Sequence, residues 1–103
     1  MTQHWIDIRN ADVVMLIGSN AAENHPMAFK WIQKAIDNGA TFINVDPRFC
    51  RSSSKAHIYA RMRSGTDIAF IGGMIKYAID KWVATGTGIN EKYVKECPTR
   101  CLR

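Results

Sequence analysis

At 103 residues the chain has room for one small domain with one core and for no second catalytic domain. Apolar residues at 47% and charged residues at 22% are ordinary globular values that argue against a disordered or fibrous chain. The formal charge of +5 suits a polyanion, but the cations concentrate in Arg48, Arg51, Lys55, Arg61 and Arg63, with neither interleaved stacking aromatics nor zinc-finger spacing. A basic cluster beside a bound phosphate explains them equally well, and nucleic acid ranks last as a partner. No apolar run reaches the ~20 residues of a membrane span, so no direct membrane insertion is expected. The opening segment has neither the basic flank nor the apolar stretch of a secretory signal. Cys50, Cys97 and Cys101 are odd in number, and the last two stand one residue too far apart for a usual zinc or redox pair, so they read as unpaired thiols.

Trp5, Ile6 and Ile8 nearly alternate, which predicts an approach segment packing on the edge of the first strand. Residues 12–17 follow as a buried strand, an unbroken apolar run with β-branched members. The run stops at Gly18-Ser19-Asn20, and a polar loop leads to Pro26, whose missing N–H costs nothing at a helix start. In open α/β sheets ligands bind just outside the carboxyl ends of the strands. There Gly18 permits close backbone approach, and Asn20, Glu23, Asn24 and His25 offer hydrogen-bonding groups; the same residue types also simply make turns. Residues 26–38 carry a helical stripe of Met27, Phe29, Trp31, Ile32, Ala35 and Ile36, ended by Gly39.

Residues 41–45 form the second strand, entered so soon after the helix that the unit must be βαβ with parallel strands and a right-handed crossover. Asp46 then stands at that strand's carboxyl end, one βα period after Gly18, where dinucleotide folds place a carboxylate on a nucleoside; the alternative is a turn begun with Pro47. Residues 49–55 read as an irregular or briefly helical crossover and 56–61 as a short third strand through Ile58 and Tyr59. After a turn at Ser64-Gly65, Thr66 or Asp67 caps a long helix that is apolar on one broad face. Gly72-Gly73 inside it costs about 2 kcal/mol against Ala-Ala, which implies close packing on a neighbour. Thr85-Gly86-Thr87-Gly88 ends this helix, and 90–94 reads as a turn of another.

Three stretches, Gly18-Ser19-Asn20-Ala21-Ala22-Glu23-Asn24-His25-Pro26, Val45-Asp46-Pro47-Arg48-Phe49 and Ser64-Gly65-Thr66-Asp67-Ile68-Ala69-Phe70, resemble successive motifs of the molybdopterin-dependent oxidoreductases. More narrowly, they resemble those of the large catalytic subunits of membrane-associated formate dehydrogenases, and the likeness runs over 3–96. It implies a partial Rossmann-like domain over 1–96: an α/β, three-layer fragment with a short, mostly parallel sheet and marginal stability alone. It also implies a molybdopterin guanine dinucleotide carrying molybdenum or tungsten, with residues 18–24 lining phosphates and ribose, 45–49 lining guanosine, and Gly65, Thr66 and Asp67 contacting guanine. The chemistry agrees, since Asp67 or Asp46 can accept from the N–H edge of guanine, and Arg48 can sit beside a pyrophosphate.

The complete enzyme implied by the resemblance oxidises formate to carbon dioxide. It contains an iron–sulfur cluster, pairs with an iron–sulfur electron-transfer subunit and lies at a bacterial membrane on the periplasmic side. The family's cluster cysteines, metal ligand, catalytic histidine and neighbouring arginine are matched by nothing in this chain, so it is expected to be inactive alone, with the rest of the catalytic subunit as its first partner. The sequence also departs at Cys50, usually threonine, and at Ser53, Ser54, Lys55 and His57 in the crossover. A free-standing guanine-nucleotide-binding module is the alternative. The likeness stops at residue 97, where the family continues with an aromatic residue and Thr-Asn-Ala. Losing one base from those codons yields Pro-Thr-Arg, as in Pro98-Thr99-Arg100, so 97–103 reads as an out-of-frame tail or an ordinary divergent terminus.

Overall fold

The computed structural model describes residues 4–87. The chain divides into two compact units, Met1–Ser64 and Gly65–Arg103.

In the first unit, β1 (Val13–Ile17), β2 (Thr41–Val45) and β3 (Ile58–Ala60) form a sheet in the order β1-β2-β3. Both pairings are parallel, with Val13 opposite Thr41 and Ile43 opposite Ile58. The expected α/β class with a short parallel sheet is therefore the observed one. Residues Ala21–Asn24 make a single helical turn, α1, where the sequence predicts only loop, and α2 (Pro26–Asp37) is the crossover helix. Pro26 opens α2 and Gly39, at φ +97°, turns the chain out of it, as the sequence predicts. Being central, β2 holds the core: Phe42, Asn44 and Val45 are fully buried, and Phe42 meets Phe29 of α2 edge-on at 6.1 Å. On the opposite sheet face, fixed by register, Val13 and Ile58 remain 58% and 52% exposed.

The opening segment differs from expectation. Trp5–Asn10 is a 3-10 helix packed against α2, because His4 Nδ1 accepts the Ile6 N–H (3.3 Å) and Asp7 N–H donates to His4 O (3.0 Å). Asn38 Nδ2 secures it by donating to Arg9 O (3.2 Å). Near-alternation in so short a stretch suits either conformation, and the local cap decides. The crossover after β2 contains a second 3-10 helix, Ser53–Lys55.

The second unit contains α3 (Asp67–Thr85), closed by Gly86 at φ +65°, whose N–H donates to Trp82 O (2.7 Å). A Cβ on Gly72 or Gly73 would meet nothing within 4 Å among the described residues. No helix among the described residues is long and apolar enough to cross a membrane. The helical turn expected over 90–94 and the tail 97–103 lie outside the described residues.

Candidate functional site

The polar residues converge where β1 and β2 end side by side. Gly18 turns the chain at φ +61°, and its N–H still donates to Val45 O (2.8 Å), so the two strand ends remain in step. A Cβ at Gly18 would meet nothing within 4 Å, which leaves its backbone open to a ligand.

The loop after β1 is bonded to the loop after β2. Asn20 Oδ1 accepts from Ser52 Oγ (3.1 Å) and from Ser52 N–H (3.4 Å), while Ser52 Oγ accepts the Ala22 N–H (3.0 Å). Ser52 is fully buried, so its own hydroxyl and N–H are satisfied by these bonds rather than by water. Glu23 reaches Arg51 at 3.4 Å, an exposed ion pair worth at most about 1 kcal/mol. Asn20, Glu23, Arg48 and Phe49 line one groove of about 370 Å³ together with Cys50, Arg51 and Ser54.

Asp46 is buried, and its Oδ1 accepts the Arg48 N–H (2.8 Å), closing a turn over Pro47. Its backbone is held as well: the N–H donates to Ala60 O (3.2 Å) and the carbonyl accepts the Tyr59 hydroxyl (2.9 Å). The turn reading of Asp46 is thus present in the structure, and the groove around Pro47, Arg48 and Phe49 opens beside it. Val45 is buried beneath, ending β2.

Cys50 is buried with its Sγ 3.3 Å from Ser53 Oγ, and its N–H donates to the same oxygen (3.1 Å). Burial pushes the thiol pKa up, but hydrogen bonds from the Ser53 side chain and from the Ser53 and Ser52 backbone outweigh it, and the net shift is downward. Nearby, Asn44 Nδ2 approaches Cys50 Sγ at 4.0 Å, while Asn44 Oδ1 is buried without a partner among the described residues.

Ser19 and His25 open elsewhere, onto an apolar groove of about 580 Å³ bordered by β1, α2 and the first 3-10 helix. The His25 ring lies 6.1 Å from Trp5, and its Nδ1 is 2.7 Å from Oδ1 of exposed Asn24. In the second unit, Gly65 turns at φ +82°, Thr66 stands at the cap position of α3, and Asp67 lies exposed in its first turn. Among the described residues no three His, Cys, Asp or Glu side chains gather to hold a metal ion.

Sequence reasoning overlooked Ser52, and it named Arg51 and Arg61 only as members of the basic cluster, without the grooves they line. For Arg51 and Arg61 the signal was the basic cluster itself, but a serine in a serine run gives no sign of a partner 32 residues away.

The fold is that of an open, parallel α/β domain whose glycine turn and buried aspartate both stand at the carboxyl ends of neighbouring strands. The molybdopterin oxidoreductase family profile matches residues 1–96, and the chain belongs to that family. It is 58% identical over 81 residues to formate dehydrogenase subunit alpha of Megalodesulfovibrio gigas, covering 79% of this chain and 8% of that protein. It is 59% identical over 81 residues to formate dehydrogenase 2 subunit alpha (cytochrome c-553) of Nitratidesulfovibrio vulgaris, with the same coverage of 79% and 8%. To the nitrate-inducible formate dehydrogenase major subunit of Escherichia coli K12 the identity is 53% over 96 residues, or 92% of this chain and 9% of that one. The chain thus spans less than a tenth of the length of these relatives.

Proposed function

We propose that this chain is a cofactor-binding segment of a formate dehydrogenase catalytic subunit and that it holds the guanosine and pyrophosphate part of a molybdopterin guanine dinucleotide. The observation that carries the reading is the bonded pair of strand-end loops, with the open Gly18 backbone on one and Arg48 and Phe49 on the other. This set fits the group: the Arg48 guanidinium for phosphate and the exposed Phe49 ring for an apolar contact, while Asp67, in the second unit, is the carboxylate that the resemblance assigns to the N–H edge of guanine. When bound, the cofactor supplies the metal-centred two-electron chemistry of formate oxidation. The residues of this chain bind and orient it, and the rest of the subunit and an iron–sulfur partner complete the enzyme.

The test is a segment exchange in which this chain's residues 1–96 replace the matching segment of the Escherichia coli relative. A folded chimera that retains its pterin and oxidises formate supports the reading; a folded chimera devoid of pterin overturns it. Tight GDP binding by the isolated chain favours the free-standing module instead.

A further inference from the structure

Cys50 is a nucleophile that the proposed function leaves unused. It follows the Asp46-Pro47 turn, and the chain closes tightly behind it: Ser54 N–H donates to Cys50 O (3.2 Å) and Ala56 N–H donates to Ser53 O (3.1 Å). That closure brings Ser53 back against the thiol, with Oγ 3.3 Å from Sγ, and the same oxygen accepts the Cys50 N–H (3.1 Å). Cys50 is 9% exposed, and it borders the groove of about 370 Å³ that it shares with Asn20, Arg48 and Arg51. A groove of that size admits a water-sized reactant to the sulfur.

The buried side of the thiol carries an independent signal. Asn44, fully buried in β2, turns its amide toward Cys50, with Nδ2 4.0 Å from Sγ. Its Oδ1 accepts no hydrogen bond among the described residues. Buried polar atoms without partners are few in native cores, and each calls for a group that the resting fold does not supply. The resting thiol has only a weak S–H donor, whereas a sulfenic acid, S–O–H, carries a full hydroxyl donor one bond further from Cβ. Burial and the Asp46 carboxylate oppose ionisation of the thiol, but donors from the Ser53 side chain and from the Ser53 and Ser52 backbones outweigh them.

We infer that Cys50 is a peroxide-reactive modification site, at which Ser53 and Asn44 hold first the thiolate and then the sulfenic acid formed from it. The thiolate sulfur attacks one oxygen of hydrogen peroxide, and an S–O bond forms as the O–O bond breaks. The sulfur is oxidised by two electrons, the peroxide is reduced, and the departing hydroxide takes up a proton to become water. The new hydroxyl gives Asn44 Oδ1 the donor it lacks. Neither the peroxide nor the thiol belongs to the cofactor assignment, so the two are tested apart.

The experiment exposes the 103-residue chain to hydrogen peroxide at about pH 7 and about pH 10, traps sulfenic acid with dimedone and quantifies the Cys50 adduct by peptide mass mapping. The same chain unfolded in urea is the reference, and circular dichroism establishes that each variant is folded. At about pH 7 the adduct is expected to form at least about threefold faster in the folded chain than in the unfolded one, and by about pH 10, where an ordinary thiol is ionised too, that advantage disappears. Ser53→Ala loses about the same factor near neutral pH and matches the parent chain at the higher pH; a substitution that merely opened the loop would speed oxidation at both. When trapping is delayed, a smaller share of the initial sulfenic acid survives in Asn44→Leu than in the parent chain. Should Asn44→Leu fail to fold, Ser53→Ala decides the matter by itself. Equal rates in the folded and unfolded chain near neutral pH, a Ser53→Ala rate equal to that of the parent, or an equally long-lived sulfenic acid in a folded Asn44→Leu chain overturns the site.

Discussion

Ser52 donates its hydroxyl proton to Asn20 Oδ1 at 3.1 Å, and this bond joins loops 32 residues apart in sequence. Because Ser52 Oγ also accepts the Ala22 N–H, Ser52→Ala leaves two partly buried groups without partners at once. The expected loss is about 1–3 kcal/mol, read as a lower urea midpoint. Combining it with Asn20→Ala gives a coupling energy of at least about 0.5 kcal/mol, whereas strictly additive losses mean the loops are not joined this way.

Phe42 lies fully buried in the central strand against Phe29. Phe42→Ala is expected to cost about 3–5 kcal/mol. That approaches the whole stability of a domain this small, so far-UV circular dichroism of the variant at 25 °C resembles that of the urea-unfolded chain. A cooperative melt close to that of the parent chain would mean the core is elsewhere.

The Cys50 thiol is held below its ordinary pKa by the hydrogen bonds of Ser53 and Ser52. The folded state therefore favours the thiolate, and the associated stabilisation is fully present above the ordinary thiol pKa and lost as pH falls through the lower folded value. Alkylation of Cys50, followed by mass mapping of its peptide, reaches its plateau at lower pH than a short peptide of the same local sequence. Ser53→Ala moves that plateau upward; a profile identical in protein and peptide refutes the assignment.

Asp46 and Asp67 are separable by substitution. Asp46→Asn keeps an oxygen acceptor for the Arg48 N–H, whereas Asp46→Ala removes it and loses about 1 kcal/mol of stability. Asp67 is exposed in the first turn of α3, so Asp67→Asn leaves the fold intact. In the segment-exchange enzyme it lowers pterin affinity by about 1–3 kcal/mol, seen as reduced cofactor content. Full pterin occupancy in that variant excludes Asp67 as a guanine contact.

The elements readable from sequence are those whose signals are local. The run Val13–Ile17, the entry at Pro26, the exit at Gly39 and the apolar Thr41–Val45 each carry their own punctuation, and they appear within a residue of the expected bounds. Ala21–Asn24 escaped because a single turn is too short for any period to register. At the site, residue types were legible but partners were not. Nothing near Arg51 marks it for Glu23, and nothing near Arg61 marks it for the groove of Arg48, since strand order decides both.

The sheet order leaves one side of β1 without a hydrogen-bonded strand among the described residues. Val13–Ile17 is uncharged, free of proline and rich in β-branched residues, which makes that side a template for copies of itself. Asp12 is the gatekeeper charge immediately before the run, and Gly18 rather than a charge follows it. The isolated chain is therefore a concentration-sensitive molecule, prone to grow fibres by strand addition as it is concentrated. Met15, which register directs away from the Phe42 face, is the place where a lysine blunts that growth without entering the core.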